Sequence, residues 1–160
     1  MTLAFALLNQ MKQPSLVVFD LDQCVWTPEM YLLDGRPSSY NPKTNTVRAG
    51  RDEVRVYPGA IYALRSLRND SMFKDTLVAA ASSTTHADYA MACLSMFEVE
   101  PGVKLNEVIK YYEIYPKNKT RHFKKLKEKT GINFNECLFF DDCTWGDNCR
   151  IVEQGCPGVV

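Results

Sequence analysis

The stretch Ser15-Leu16-Val17-Val18-Phe19-Asp20-Leu21-Asp22 decides how the rest of the chain is read. Leu16 to Phe19 form a short apolar run, two of whose members are β-branched. Such a run, bounded by polar residues, reads as a buried strand. Two aspartates follow at once. Alternate residues of an extended chain face the same side, so Asp20 and Asp22 are expected to present their carboxylates together. Such a pair can hold a metal, or divide the roles of nucleophile and general acid. The commoner use of Asp-x-Asp after a strand is a turn or a cap.

Working outward, three more apolar runs end in polar groups. Thr76–Ala81 is expected to be a second strand, followed by Ser82-Ser83-Thr84-Thr85. Serine and threonine there suit a helix N-cap, and equally a hydroxyl and amides aimed at an anion. Glu107–Tyr112 is expected as a third strand, with Lys119 soon after it in the first turn of a basic helix, Lys117–Thr130, that Gly131 terminates. A lysine there opposes the helix dipole by about 0.3–1 kcal/mol, a local conflict that hints at a role elsewhere. Glu136–Phe140, the fourth strand, delivers Asp141-Asp142. Adjacent acids at an apolar strand end repel one another unless a cation is present, and magnesium is the natural hard cation for carboxylates.

Between the strands, Pro58–Arg68 carries Ala60, Leu64 and Leu67 on one helical stripe, and a helix ending near Phe97 carries Ala87, Ala90, Met91 and Leu94. A short helix near Asn148–Gln154 follows the last strand. Strands alternating with helices imply an α/β fold: a Rossmann-like parallel sheet with helices on both faces, its chemistry at the carboxyl ends of the strands. Residues 27–57 show no clear period and read as a functional loop or a small hairpin insertion. Residues 1–14 are read as an N-terminal segment, and 15–160 as one domain. The apolar stretch Thr2–Leu8 has no basic flank and reads as a frayed or packed segment rather than a signal peptide.

The composition sets limits on this reading. The chain has 160 residues, with 19 basic and 19 acidic side chains and a net charge of zero. Attraction of the whole molecule to nucleic acid or to an anionic membrane is not expected. No apolar run approaches the ~20 residues of a membrane helix. The six cysteines include no Cys-x-x-Cys pair and are accompanied by two histidines, so neither zinc nor a disulfide framework is expected. Reduced thiols and a cytoplasmic monomer are the expectation.

Each strand-end group is a modest signal alone, but their order is specific. Asp-x-Asp, then serine, then lysine, then Asp-Asp resembles the haloacid dehalogenase superfamily of phosphatases. Within it, the chain looks most like the small eukaryotic magnesium-dependent phosphatases. Phe19-Asp20-Leu21-Asp22 with Trp26 resembles the first motif of that family, and Val56-Tyr57-Pro58-Gly59 the stretch entering its first core helix. Ala79-Ala80-Ala81-Ser82 resembles the second motif. Glu113-Ile114-Tyr115-Pro116 with Lys119, and Phe139-Phe140-Asp141-Asp142, resemble the third and fourth. The likeness runs from about Leu16 to Val160.

The resemblance implies a magnesium-dependent phosphomonoester hydrolase with a haloacid dehalogenase-type core and no large cap. Asp20 would be the nucleophile, forming an aspartyl-phosphate, and Asp22 the general acid and base. Mg2+ would be held by the Asp20 carboxylate, the backbone carbonyl of Asp22 and Asp142, with Asp141 close behind. Ser82, Ser83 and Lys119 would bind the phosphoryl oxygens. The open site would suit a phosphorylated small molecule or a phosphoprotein, with protein phosphotyrosine and sugar phosphates as the two classes implied. Trp26, Tyr31 and Tyr40 are candidates for its entrance, although packing of the loop is the ordinary use of such residues.

The chain also departs from the pattern. Ser82-Ser83 stands where Ser-Arg is common, and Cys24 where Thr is common. The stretch from Cys143 to Asn148 is longer than the usual connection, with Asn148 a supporting polar group. Relatives usually continue past a fifth strand into another helix, whereas this sequence ends at Val160. These departures keep alive an alternative: a weakened or non-catalytic paralogue that binds metal and phosphate. The basic helix raises another, a binding module, with nucleic acid the minor reading since a basic stripe is usually a solvated face.

Overall fold

A computed structural model describes residues 13–142 and 146–160, so the reading of Thr2–Leu8 lies outside the described residues. In chain order the elements are β1 (Leu16–Phe19), β2 (Trp26–Thr27), β3 (Pro37–Asn41), β4 (Thr46–Ala49), β5 (Asp52–Val56), α1 (Pro58–Asn69), β6 (Leu77–Ser82) and α2 (Ala87–Met96). Then come β7 (Glu98–Glu100), β8 (Val103–Lys104), α3 (Leu105–Val108), β9 (Tyr111–Ile114), α4 (Lys119–Thr130), β10 (Cys137–Phe140) and α5 (Asn148–Gly155).

Strand β1 lies inside a parallel sheet of order β10-β1-β6-β9. Its alternation builds two cores. Val17 and Phe19 join Val78, Ala80, Leu64 of α1 and Leu94 of α2 on one face. Leu16 and Val18 join Ala79, Phe123 and Leu126 of α4, and Val152 of α5 on the other. Both faces of the sheet are covered, which is why its strands read as continuous apolar runs rather than alternating ones. Val160 extends the sheet: its N–H donates to the Cys137 carbonyl at 3.2 Å, and its carbonyl accepts from Phe139 N–H at 2.7 Å.

The insertion is more ordered than a loop. Strands β2, β5, β4 and β3 form a second, antiparallel sheet whose Val47, Ala49 and Val54 are buried in the first core. A two-residue turn joins β4 to β5, and Gly50 enters it at φ +58°, where a side chain would be strained.

The third strand lies later than expected. Lys104 N–H donates to the Glu107 carboxylate at 2.9 Å, which holds Leu105–Val108 as a helical turn. The strand begins only at Tyr111. Val108 and Ile109 are buried nonetheless, so their apolar character reflects core packing and not extended pairing. On α2 the inward positions are Ala90, Cys93 and Leu94, and Met91, expected inward, is 40% exposed. The β7–β8 hairpin is marked in the sequence by its Pro101-Gly102 turn, with Gly102 at φ +81°. Gly131 ends α4 in the left-handed conformation at φ +74°, as expected. No disulfide joins two described cysteines. Among the described residues no helix is long and apolar enough to cross a membrane.

Candidate active site

Because the four strands run parallel, their carboxyl ends share one edge of the sheet. Asp20 follows β1, Ser82 ends β6, Lys119 opens α4 after β9, and Asp141-Asp142 follow β10. Asn118 caps α4 by accepting from Arg121 N–H at 3.0 Å, which fixes Lys119 as the first helical residue. Lys119 is only 1% exposed. Its Nζ donates to Asp20 Oδ1 at 2.5 Å and to the Ala81 carbonyl at 2.6 Å, and lies 3.5 Å from Asp141 Oδ2. The unfavourable placement of a lysine at a helix start thus has its explanation: the ammonium is directed into the site, where two carboxylates offset the dipole.

These groups open onto a cleft of about 320 Å³. Asp20, Asp22, Ser82, Ser83, Lys119 and Asp142 all line it. Burial pushes the Asp20 carboxyl up to about 6 despite the opposing pull of Lys119, and Asp141 adds to the rise. Oxygens of Asp20, Asp141 and Asp142 lie within 4.8 Å of one another. Three hard donors so close, with burial already disfavouring the charge of Asp20, fit a divalent cation, which would supply positive charge. Asn148 steadies the cluster: its Nδ2 donates to both oxygens of Asp141, at 3.3 and 3.2 Å.

The two aspartates of the first motif border the same cleft, as expected, but take different partners. Asp22 accepts from Trp26 Nε1 at 2.8 Å and Met30 N–H at 3.2 Å. It is not among the three acids that lie close enough to share a cation. Burial raises its pKa above the ordinary carboxylate value, against those two hydrogen bonds. Cys24 sits beside the cluster, its Sγ 3.5 Å from the Phe140 carbonyl, and burial pushes its thiol up to about 12.

Ser82 is buried, and its Oγ accepts weakly from Thr84 N–H at 3.4 Å. Ser83 Oγ donates to the Lys117 carbonyl at 2.8 Å, which ties the loop after β6 to the loop after β9. Of the three aromatic candidates only Tyr31 lines the cleft. Trp26 is fully buried and stacks on Phe97, and Tyr40 packs edge-on against the same ring. Gln23, Glu29, Thr84 and Thr85 also line the cleft. Thr84 and Thr85 belong to the polar run after β6 that the sequence marks, whereas Gln23 and Glu29 carry no such mark, and Glu29 lies in the stretch without a period.

The order of these groups along the chain, each at the end of a strand of one parallel sheet, defines the class: a hydrolase with the haloacid dehalogenase fold. The chain belongs to the Acid Phosphatase family, whose model matches residues 12–159. It is 35% identical over 130 residues to "Magnesium-dependent phosphatase 1" of Homo sapiens, covering 81% of this chain and 68% of that protein. It is 29% identical over 135 residues to a HAD-like hydrolase superfamily protein of Schizosaccharomyces pombe, covering 81% of this chain and 76% of that one. Its fold matches the N-terminal part of a Bacteroides fragilis protein that contains a phosphatase domain and was solved with Mg, at a TM-score of 0.64 and 17% identity. That match covers 95% of this chain and 36% of the other, so this chain spans about a third of its length.

Proposed function

We propose that this phosphatase is a magnesium-dependent phosphomonoester hydrolase working through an aspartyl-phosphate on Asp20. The observation that carries the proposal is the buried contact of Lys119 with Asp20, beside three carboxylates close enough to share one cation. Asp20, Asp142 and the Asp22 carbonyl would hold Mg2+, with Asp142 on the open side of the cleft and the buried Asp141 behind it. When bound, the ion supplies positive charge that offsets repulsion between a phosphate dianion and the carboxylates.

An Asp20 oxygen attacks phosphorus while the ester P–O bond breaks, and Asp22 gives its proton to the departing oxygen. Burial raises the Asp22 carboxyl above its ordinary value, the direction a proton donor requires. Asp22 then takes a proton from water, whose oxygen attacks phosphorus. The bond to Asp20 breaks and inorganic phosphate leaves. Lys119 stays fixed throughout, aimed at charge that grows on the phosphoryl oxygens, while Ser82 and Ser83 border the same space.

The substrate is a phosphoprotein bearing phosphotyrosine or a sugar phosphate. A phosphate-release screen of both classes, with and without Mg2+, tests the reading. Turnover is expected to need the metal, to vanish with EDTA and to return on adding MgCl2. Asp20→Asn should release no phosphate, and normal metal-dependent turnover by that variant would overturn the mechanism. The missing second-motif arginine favours a second reading, a weakened paralogue that binds metal and phosphate. Silence on every ester would favour it.

A further inference from the structure

We propose that the exposed face of α4 is a docking surface for an acidic polypeptide segment, which makes the substrate a phosphoprotein with acidic residues near its phosphorylated side chain. The inference rests on the phosphatase reading and deepens it.

The basic residues around α4 do not all do the same work. Lys119 is buried in the cleft. Lys125 pairs with Glu128 and Lys129 with Glu113, each at 2.5 Å, and Lys127 lies 4.8 Å over the ring of Phe134. Lys117, Arg121 and Lys124 remain, exposed and without a carboxylate partner among the described residues. They surround a shallow depression of about 430 Å³ together with Asn118 and Thr120. Lys117 and Arg121 also line its neighbour, of about 420 Å³. A cationic surface of this kind complements an acidic segment and speeds its capture.

Its position connects it to the cleft. The Lys117 carbonyl accepts from Ser83 Oγ, and Ser83 lines the cleft. Arg121 and Lys124 stand about one turn apart on α4, about 4.5 Å along its axis, and Lys117 precedes its cap, Asn118. Acidic side chains near the phosphorylated position would therefore reach these cations. A nucleic acid fits less well, because Glu113 and Glu128 interrupt the positive charge before it forms the long track that a phosphate backbone needs.

The test has two arms. In the first, kcat/KM is compared for phosphotyrosine peptides with glutamate or alanine flanks, and for p-nitrophenyl phosphate, which reads the cleft alone. The glutamate peptide should be preferred about tenfold at low salt, and the preference should fade in 0.5 M salt, about three times physiological ionic strength. Arg121→Glu with Lys124→Glu should abolish the preference while p-nitrophenyl phosphate turnover stays within about twofold. The neutral pair Arg121→Gln with Lys124→Gln should give an intermediate loss. In the second arm, fluorescence anisotropy follows a phosphate-free glutamate-rich peptide, which should bind the unaltered chain and not the charge-reversed one. An unchanged preference in the charge-reversed protein would overturn the proposal, as would tighter binding of a single-stranded oligonucleotide at the same face. The anisotropy arm needs no turnover, so a chain that hydrolyses no ester would sink the catalytic reading while binding still decides this one.

Discussion

The parallel and antiparallel sheets of this molecule divide its work. In β10-β1-β6-β9 every strand ends at the same edge, so groups as distant in sequence as Asp20 and Lys119 meet there. In β2-β5-β4-β3 successive strands end at opposite edges, and no such gathering can occur. That sheet instead packs Val47, Ala49 and Val54 into the core, while the segment between β2 and β3 supplies Glu29 and Tyr31 as part of the cleft wall. Direction of pairing, more than strand composition, separates the region that holds the chemistry from the region that frames it.

The division can be broken most severely at Lys119. Lys119→Met should lower turnover by two to three orders of magnitude, since it removes the fixed positive charge facing the reacting group, about 3–4 kcal/mol of transition-state stabilisation. Steady-state kinetics at saturating Mg2+ would measure it, and a loss under tenfold would mean that the parallel edge does not concentrate the chemistry. The opposite pattern is expected at Val54. Val54→Ala empties buried volume in the antiparallel sheet and should cost about 2 kcal/mol in urea unfolding, with turnover of a small ester within about twofold. A large kinetic loss there would join the two regions functionally.

A smaller effect is expected from His122, on the inner face of α4. Its Nε2 donates to the Tyr115 carbonyl at 3.0 Å, and burial holds its pKa down at about 4, against an ordinary value of 6.5. As pH falls from 6.5 towards 4, the unfolded chain takes up a proton that the folded chain refuses. Stability from this group is therefore full above 6.5, declines through that window and levels off below about 4. Urea midpoints at pH 7 and pH 5 would record the decline, and His122→Phe should flatten it. Tyr31→Ala is expected to do least, changing small-ester kcat/KM by less than about threefold, because its ring borders the cleft and is 54% exposed. A larger loss would give the antiparallel side a direct part in binding.

Much of the site was legible because its groups follow apolar runs. Leu16–Phe19 and Cys137–Phe140 mark strands by composition, and the acids after them stand at strand ends whatever the details. The third strand was misplaced because Val108 and Ile109 are apolar for packing, while a local bond from Lys104 to Glu107 favours a helical turn. Glu29 and Tyr31 were hidden or ambiguous for a different reason: their place depends on how the insertion folds back on the core, which no local pattern encodes.

By itself the sequence determined the alternation of strands and helices, the order of the strand-end groups, and the presence of a basic helix. Periodicity and adjacency along the chain carry those properties. The tertiary structure alone decided that Lys119 points inward while Lys124 on the same helix points outward, and that Lys119 pairs with Asp20 while Trp26 donates to Asp22. Those outcomes depend on what lies across the sheet from each residue. A lysine is identical in composition on either face of a helix, and only packing fixes whether carboxylates or water receive its charge.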